Sequence, residues 1–239
     1  MIDIAGKPLI LHTLDQALKA RMVDRVIVAT DDERILATVV ENGGEAVMTS
    51  CDHLTGSDRI AEVARDLPPN TIVVNVQGDE PMISPKTIDI AVTAMLGDPE
   101  CDIVTTCEAI SDVNDVLSPD VVKVVADNEG RALYFSRSPI PFPRDAAKMA
   151  GSIDAALAGD RELLRTYKRH TGIYVYRREY LLRLCKLPQT SLERFEMLEQ
   201  LRALENGAKI RVVETIESSI GVDNADDLER VRELIGSNG

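Results

Sequence analysis

Apolar positions change their spacing repeatedly along the chain, and each change marks an element. Ile10, Leu14, Ala17 and Leu18 recur three and four apart, so they line one face of a helix. The segment from Asp24 to Thr30, Asp-Arg-Val-Ile-Val-Ala-Thr, reads as a strand. The alternation then repeats: a helix near Asp32 to Glu41, a Gly43-Gly44 stop, a short strand from Glu45 to Met48, a helix near Ser57 to Asp66, and the buried strand Thr71 to Val76. A further helix spans about Pro85 to Leu96. Apolar strands alternating with amphipathic helices predict an α/β fold whose mainly parallel sheet is covered on both faces.

Beyond Leu96 the pattern changes. Strands at Asp102 to Cys107, Val121 to Ala126 and Ala132 to Ser136, separated by turn residues such as Asp127-Asn-Glu-Gly130, predict an antiparallel elaboration in the middle of the chain. Pro139-Ile-Pro-Phe-Pro143 and the Ala-, Gly- and charge-rich stretch Arg144 to Lys168 read as a loop. A strand at Gly172 to Tyr176, helices near Tyr180 to Cys185 and Leu192 to Glu205, a strand at Lys209 to Val213 and a helix from Ala225 to about Ile235 follow. No repeat or linker divides the sequence, so residues 1–239 are expected to form a single domain.

Charge narrows the partners. Lys and Arg total 27 against 40 Asp and Glu, a formal net charge of -13, opposite in sign to the footprint of a phosphate-backbone binder, so nucleic acid is excluded as the main partner. The apolar runs Ile72 to Val76 and Val121 to Val125 fall far short of the roughly 20 residues that cross a bilayer, and no signal-like segment opens the chain. A soluble, cytoplasmic protein without a membrane partner is expected. Cys51, Cys101, Cys107 and Cys185 show no CxxC spacing, and His12, His53 and His170 are scattered singly, so reduced thiols and no zinc site are expected.

Ligands of open α/β sheets bind beyond the carboxyl ends of the strands. There Thr71 to Val76 runs into Gln77-Gly-Asp-Glu-Pro81, where Gly78 permits a close approach and Pro81 ends strand pairing. Asp79 and Glu80 are then either a solvated acidic turn or carboxylates for a hard cation such as Mg²⁺, which takes one or two of them plus phosphate oxygens. In Gly221-Val-Asp-Asn-Ala-Asp-Asp227, Asp223 or Asn224 is placed to cap the last helix; if the two loops converge, Asp79 and Asp223 share a metal. Neither GxxxxGK[ST] nor GxGxxG occurs, which excludes a P-loop NTPase and an ordinary dinucleotide oxidoreductase. Lys7 in Gly6-Lys-Pro8 opens a helix and reads as structural. His170 alone reads as a hydrogen-bonded structural group, and Glu193, Glu196, Glu199 and Gln200 as a solvated helix face behind a Ser191 cap.

Taken together, several stretches resemble the 3-deoxy-manno-octulosonate (Kdo) cytidylyltransferases of lipopolysaccharide synthesis, in family order over nearly the whole chain. They are Asp3-Ile-Ala-Gly-Lys-Pro-Leu, Arg25-Val-Ile-Val-Ala-Thr-Asp, Thr55-Gly-Ser-Asp-Arg59, Val74-Asn-Val-Gln-Gly-Asp-Glu-Pro81, Leu133-Tyr-Phe-Ser-Arg137, His170-Thr-Gly-Ile-Tyr174, Leu198-Glu-Gln-Leu-Arg202 and Gly221-Val-Asp223. The resemblance implies a three-layer α/β/α nucleotide-diphospho-sugar transferase fold, Rossmann-like, with a mixed, mainly parallel sheet. It implies transfer of CMP from CTP to the anomeric hydroxyl of Kdo with loss of pyrophosphate, and Mg²⁺ dependence; a homodimer through the middle antiparallel section is expected. Asp79 and Asp223 match the family's metal-binding aspartates and are the expected catalytic pair. Arg59 and Gln77 fall in nucleotide-contacting segments, and Gln77, Arg144, His170, Tyr174, Glu199 and Gln200 where the family holds the acidic sugar. Arg144 and His170 are expected to offset the sugar carboxylate.

The family also begins with a strand and a Pro-Ala-Arg loop that this chain does not show, and Gly6-Lys7-Pro8 matches a second Gly-Lys-Pro in the following helix. The sheet is therefore expected to lack a central member, with a late start assignment or a truncation as its origin. Two alternatives follow: a cytidylyltransferase for another acidic sugar, an amino-Kdo or an acylneuraminate, and an inactive nucleotide- or sugar-binding relic.

Overall fold

The computed structural model describes residues 2–215, 217, 221–222 and 225–236. It opens with a two-strand hairpin, β1 (Asp3–Ile4) and β2 (Lys7–Pro8), followed by α1 (Leu9–Leu18), β3 (Ile27–Thr30), α2 (Glu33–Glu41), β4 (Glu45–Met48), α3 (Gly56–Ala64), β5 (Ile72–Asn75) and α4 (Pro85–Leu96). The middle holds β6 (Ile103–Ala109), α5 (Val113–Leu117), β7 (Lys123–Ala126), β8 (Ala132–Ser136), α6 (Arg144–Ala150), α7 (Ile153–Gly159) and a 3₁₀ turn, Arg161–Thr166. The chain continues through β9 (Lys168–Arg177), α8 (Arg178–Leu184), α9 (Ser191–Glu196), α10 (Gln200–Glu205), β10 (Ile210–Glu214) and α11 (Ala225–Gly236).

β9 organises the main sheet. It is 10 residues long, so it takes β6 along one side, and β7 and then β5 along the other, in the order β10-β6-β9-β7-β8 with β5 also on β9. β10 lies parallel to β6, while β5, β6 and β7 all lie antiparallel to β9, and β8 antiparallel to β7. β5, β6, β7 and β10 therefore share one direction and β8 and β9 oppose it: the expected mixed sheet, with most ladders antiparallel because β9 sits among the others. β3 and β4 pair in parallel as a separate sheet, and among the described residues no ladder joins β3 to β5.

Period-two alternation builds a core on each face. Val104, Ile173 and Val175 meet Ile88, Val92 and Met95 of α4 on one side. Ile103, Cys107 and Tyr176 meet Ala61 and Ala64 of α3, Tyr180 and Leu181 of α8 and Leu201 of α10 on the other. These are the three layers read from the sequence.

Two segments differ from that reading. The stretch Arg144 to Lys168 is mostly helical, because Ala147, Ala156, Leu157 and Leu164 find buried positions and Ser152 and Asp160 each accept a capping backbone N–H. The expected helix from Leu192 to Glu205 breaks at Met197, which takes a left-handed conformation with φ 54° and ends α9 before α10 begins. All four cysteines are free thiols.

Candidate active site

The carboxyl ends of β5 and β6 meet one stretch of β9: Asn75 at the end of β5 pairs with Tyr174, and Cys107 near the end of β6 pairs with His170. This is the edge where an α/β sheet receives its ligand. α3 opens here, with Thr55 as its N-cap accepting from the Asp58 N–H at 3.1 Å. One turn on, the Arg59 guanidinium donates to Asp31 Oδ2 at 2.9 Å and Thr49 Oγ1 at 2.7 Å, joining the segments that follow β3 and β4.

Two glycines lie within ordinary van der Waals reach of the turn after β5. A Cβ built at Gly56 would stand 3.7 Å from Gln77 Oε1, and one at Gly172 would stand 3.9 Å from Gln77 Cγ and 3.4 Å from Glu80 Oε1. Gly172 belongs to a β-bulge: Thr105 faces Tyr174 and Thr106 faces Thr171, leaving Gly172 and Ile173 as extra residues on β9. Because two residues are inserted, His170 and Tyr174 stay on one face. Their rings form a row with Phe135 and Tyr176, at centroid separations of 5.0, 5.3 and 5.8 Å.

The tautomer of His170 follows from proton counting. Thr105 has one hydroxyl proton, which reaches the Ile173 carbonyl at 2.7 Å, so at the 2.7 Å contact with His170 Nε2 the imidazole must donate and the hydroxyl accept. Burial pushes the ring's pKa down to about 3. The imidazole is therefore neutral near pH 7, and it offers hydrogen bonds, not the positive charge expected of it. Burial likewise raises the hydroxyl pKa values of Tyr174 and Tyr176, keeping both protonated.

Glu199 completes the ring from the break between α9 and α10. Its Oε2 accepts from Ser57 Oγ at 2.9 Å and its Oε1 from Thr55 Oγ1 at 3.2 Å, while burial raises its pKa. Gln200, the next residue and the first of α10, is buried. Asp79 is exposed in the turn after β5, and its carbonyl accepts the Val222 N–H at 2.9 Å, so the acidic turn meets the residue before Asp223. Asp223 itself lies outside the described residues. Among the described residues no group of three or more His, Cys, Asp or Glu is arranged to hold a metal alone.

The structure thus gathers Gln77, His170, Tyr174, Glu199 and Gln200 around one edge, with Arg59 beside it. It does not bring Arg144 to them: that side chain is 81% exposed at the start of α6, 3.4 Å from Asp145. Lys7 pairs with Asp15 on α1, in keeping with a structural role. Thr105 was not singled out from the sequence, since a threonine within a strand carries no signal. The supporting roles of Thr55 and Ser57 went unread, although Thr55 and Asp58 have capping-box spacing.

Sheet, helical layers and ligand edge together define an α/β nucleotidyltransferase. The fold is shared with a 4-diphosphocytidyl-2C-methyl-D-erythritol synthase from Anaerococcus prevotii at a TM-score of 0.58 and 17% identity, over 98% of this chain and 92% of the other. The cytidylyltransferase family profile matches residues 1–210. Two relatives are 3-deoxy-manno-octulosonate cytidylyltransferases: that of Trichlorobacter lovleyi, 53% identical over 98% of this chain and 90% of its own, and that of Geobacter sulfurreducens, 52% identical over 98% and 92%. A solved CMP:2-keto-3-deoxy-manno-octonic acid synthetase complexed with CTP matches at a TM-score of 0.88 and 40% identity, covering 100% of this chain and 91% of that one. The chain belongs to the 3-deoxy-manno-octulosonate cytidylyltransferase family.

Proposed function

We propose that this chain, acting as a single domain, transfers CMP from CTP to the anomeric hydroxyl of Kdo and releases pyrophosphate. The observation that carries the reading is the convergence of α3, the turn after β5, the β9 bulge and the α9–α10 break on one edge, in a chain about half identical to Kdo cytidylyltransferases. Arg59 and the carboxyl ends of β3 and β4 receive the nucleotide, and Gln77 stands between nucleotide and sugar. His170, Tyr174, Glu199 and Gln200 form the sugar side, where neutral ring nitrogens and hydroxyls beside one carboxylate suit a polyhydroxylated acceptor.

The donor set fits Mg²⁺: an exposed Asp79 at a strand edge, tied through its carbonyl to the residue preceding Asp223, gives the one or two carboxylates that leave room for phosphate oxygens. When bound, the ion would offset negative charge on the α-phosphoryl group and on the departing pyrophosphate. The remaining work is positioning of two substrates at one edge.

The homodimer forms through the middle section, where Leu133 on β8 is 62% exposed and Phe195 on α9 is 91% exposed. These elements are neighbours, since Ser136 Oγ donates to Glu196 Oε1 at 2.6 Å. No described helix is long and apolar enough to cross a membrane. Mass analysis of the product tests the function: CTP plus Kdo is expected to give CMP-Kdo, and a product only with an acylneuraminate, or none at all, would overturn the reading.

A further inference from the structure

We infer that Arg202 is a positioning residue for the sugar side of this edge, fixing the orientation and charge of Glu199, with Glu193 as its anchor. The inference rests on the reading of that edge as the acceptor-sugar site. Arg202 and Glu193 are buried, with side-chain exposures of 5% and 6%. The guanidinium forks onto Glu193: Nε donates to Oε2 at 2.9 Å and a terminal nitrogen to Oε1. Glu193 Oε2 also accepts the Thr190 N–H at 3.1 Å, closing the capping box of α9, so the anchor is fixed to that helix start. The same terminal nitrogen of Arg202 lies 3.6 Å from Glu199 Oε1.

A buried Arg–Glu pair alone needs no functional reading. What sets this one apart is a third carboxylate, 27% exposed, in a site with competing demands. The Thr55 hydroxyl has a single proton but stands 2.9 Å from Asp58 Oδ2 and 3.2 Å from Glu199 Oε1, so only one carboxylate receives it at a time. Burial, and after it Asp58, favours protonation of Glu199, while the Ser57 hydroxyl, Arg202 and the Thr55 hydroxyl favour its charged form. Tyr174 and Tyr176 from β9 and the Cys185 thiol just after α8 also face it, all with raised pKa values and therefore uncharged near neutrality. Arg202 is thus the cation among the groups facing Glu199. The left-handed Met197 turns α10 away from α9, leaving Arg202 one helical turn beyond Glu199.

The test is a ¹³C NMR titration of the Glu199 carboxyl in the full chain without substrates, assigned by its loss in Glu199→Gln. Arg202→Gln is expected to raise the midpoint by about one pH unit, the scale of one nearby charge. Glu193→Gln is expected to lower it, because the guanidinium loses its competing carboxylate. A merely structural pair would not shift the midpoint in opposite directions, so shifts of the same sign, or none, overturn the inference. If Arg202→Gln does not fold, Arg202→Lys carries the same sign, since the shorter ammonium stands farther from Glu199. In steady state, Arg202→Gln should raise the KM for Kdo about tenfold with that for CTP within about twofold, and equal changes in both would also overturn it. Because the titration needs no sugar, failure of wild-type protein to use Kdo would remove the assigned function and leave the Arg202–Glu199 coupling standing or falling on the NMR alone.

Discussion

A histidine boxed by Phe135, Tyr174 and the Thr105 hydroxyl gains nothing from a second proton, and this links the site to the pH dependence of folding. Unfolded, the ring titrates near 6.5; folded, near 3. Between those values the unfolded chain holds more protons, so stability falls as pH drops from about 6.5, by up to about 1.4 kcal/mol per pH unit for one full proton. His170→Phe should flatten that slope, visible as a smaller change in urea midpoint between pH 7 and pH 5; parallel changes in both proteins would contradict the burial argument. Glu199 works with the opposite sign, since its raised pKa makes burial of the carboxylate more costly as pH rises above its ordinary 4.5. At Asp79 stability and activity should separate. The side chain is exposed, so Asp79→Asn should change unfolding free energy by no more than about 0.5 kcal/mol. Pyrophosphate release should nevertheless be lost, and retained turnover would remove Asp79 from the metal-binding role. This residue was legible in the sequence because a glycine and a proline bracket two carboxylates at a strand end. Thr105 was not, because its importance comes only from the strand that pairs beside it.

Three elements, α4, β4 and β8, were read to the residue. Ser84-Pro85 caps and opens α4, and β4 and β8 keep the bounds their apolar pattern suggests. The segment from Arg144 to Lys168 misled because Pro and Gly punctuate it, while the alanines that make it helical become decisive only once buried. The break at Met197 gave no signal at all, since methionine is a good helix former held here in a left-handed turn. That strain makes a prediction. Met197 is exposed, so Met197→Gly loses little packing and should stabilise the chain by about 1 kcal/mol, the cost a non-glycine residue bears in that conformation. Denaturant unfolding checks it, and destabilisation would mean that Met197 packs against something beyond this chain.

At the scale of the whole molecule, the layers followed from alternation, the grouping of His170 and Glu199 was expected only on the family resemblance, and the centrality of β9 was not read at all. A strand of 10 residues that pairs with β5, β6 and β7 is defined by long-range partners, and local periodicity carries no record of them. The exposed Leu133 and Phe195 belong to this scale too. Sedimentation should report a dimer for the chain and a monomer for Phe195→Glu; a monomeric parent would contradict the proposed interface. The central claim is that one edge holds a nucleotide side at Arg59 and a sugar side at Glu199. Steady-state pyrophosphate release from Arg59→Gln and Glu199→Gln tests it most directly. Arg59→Gln should raise the KM for CTP about tenfold and Glu199→Gln that for Kdo, each leaving the other substrate within about twofold. Equal effects of both variants on both substrates would contradict the division.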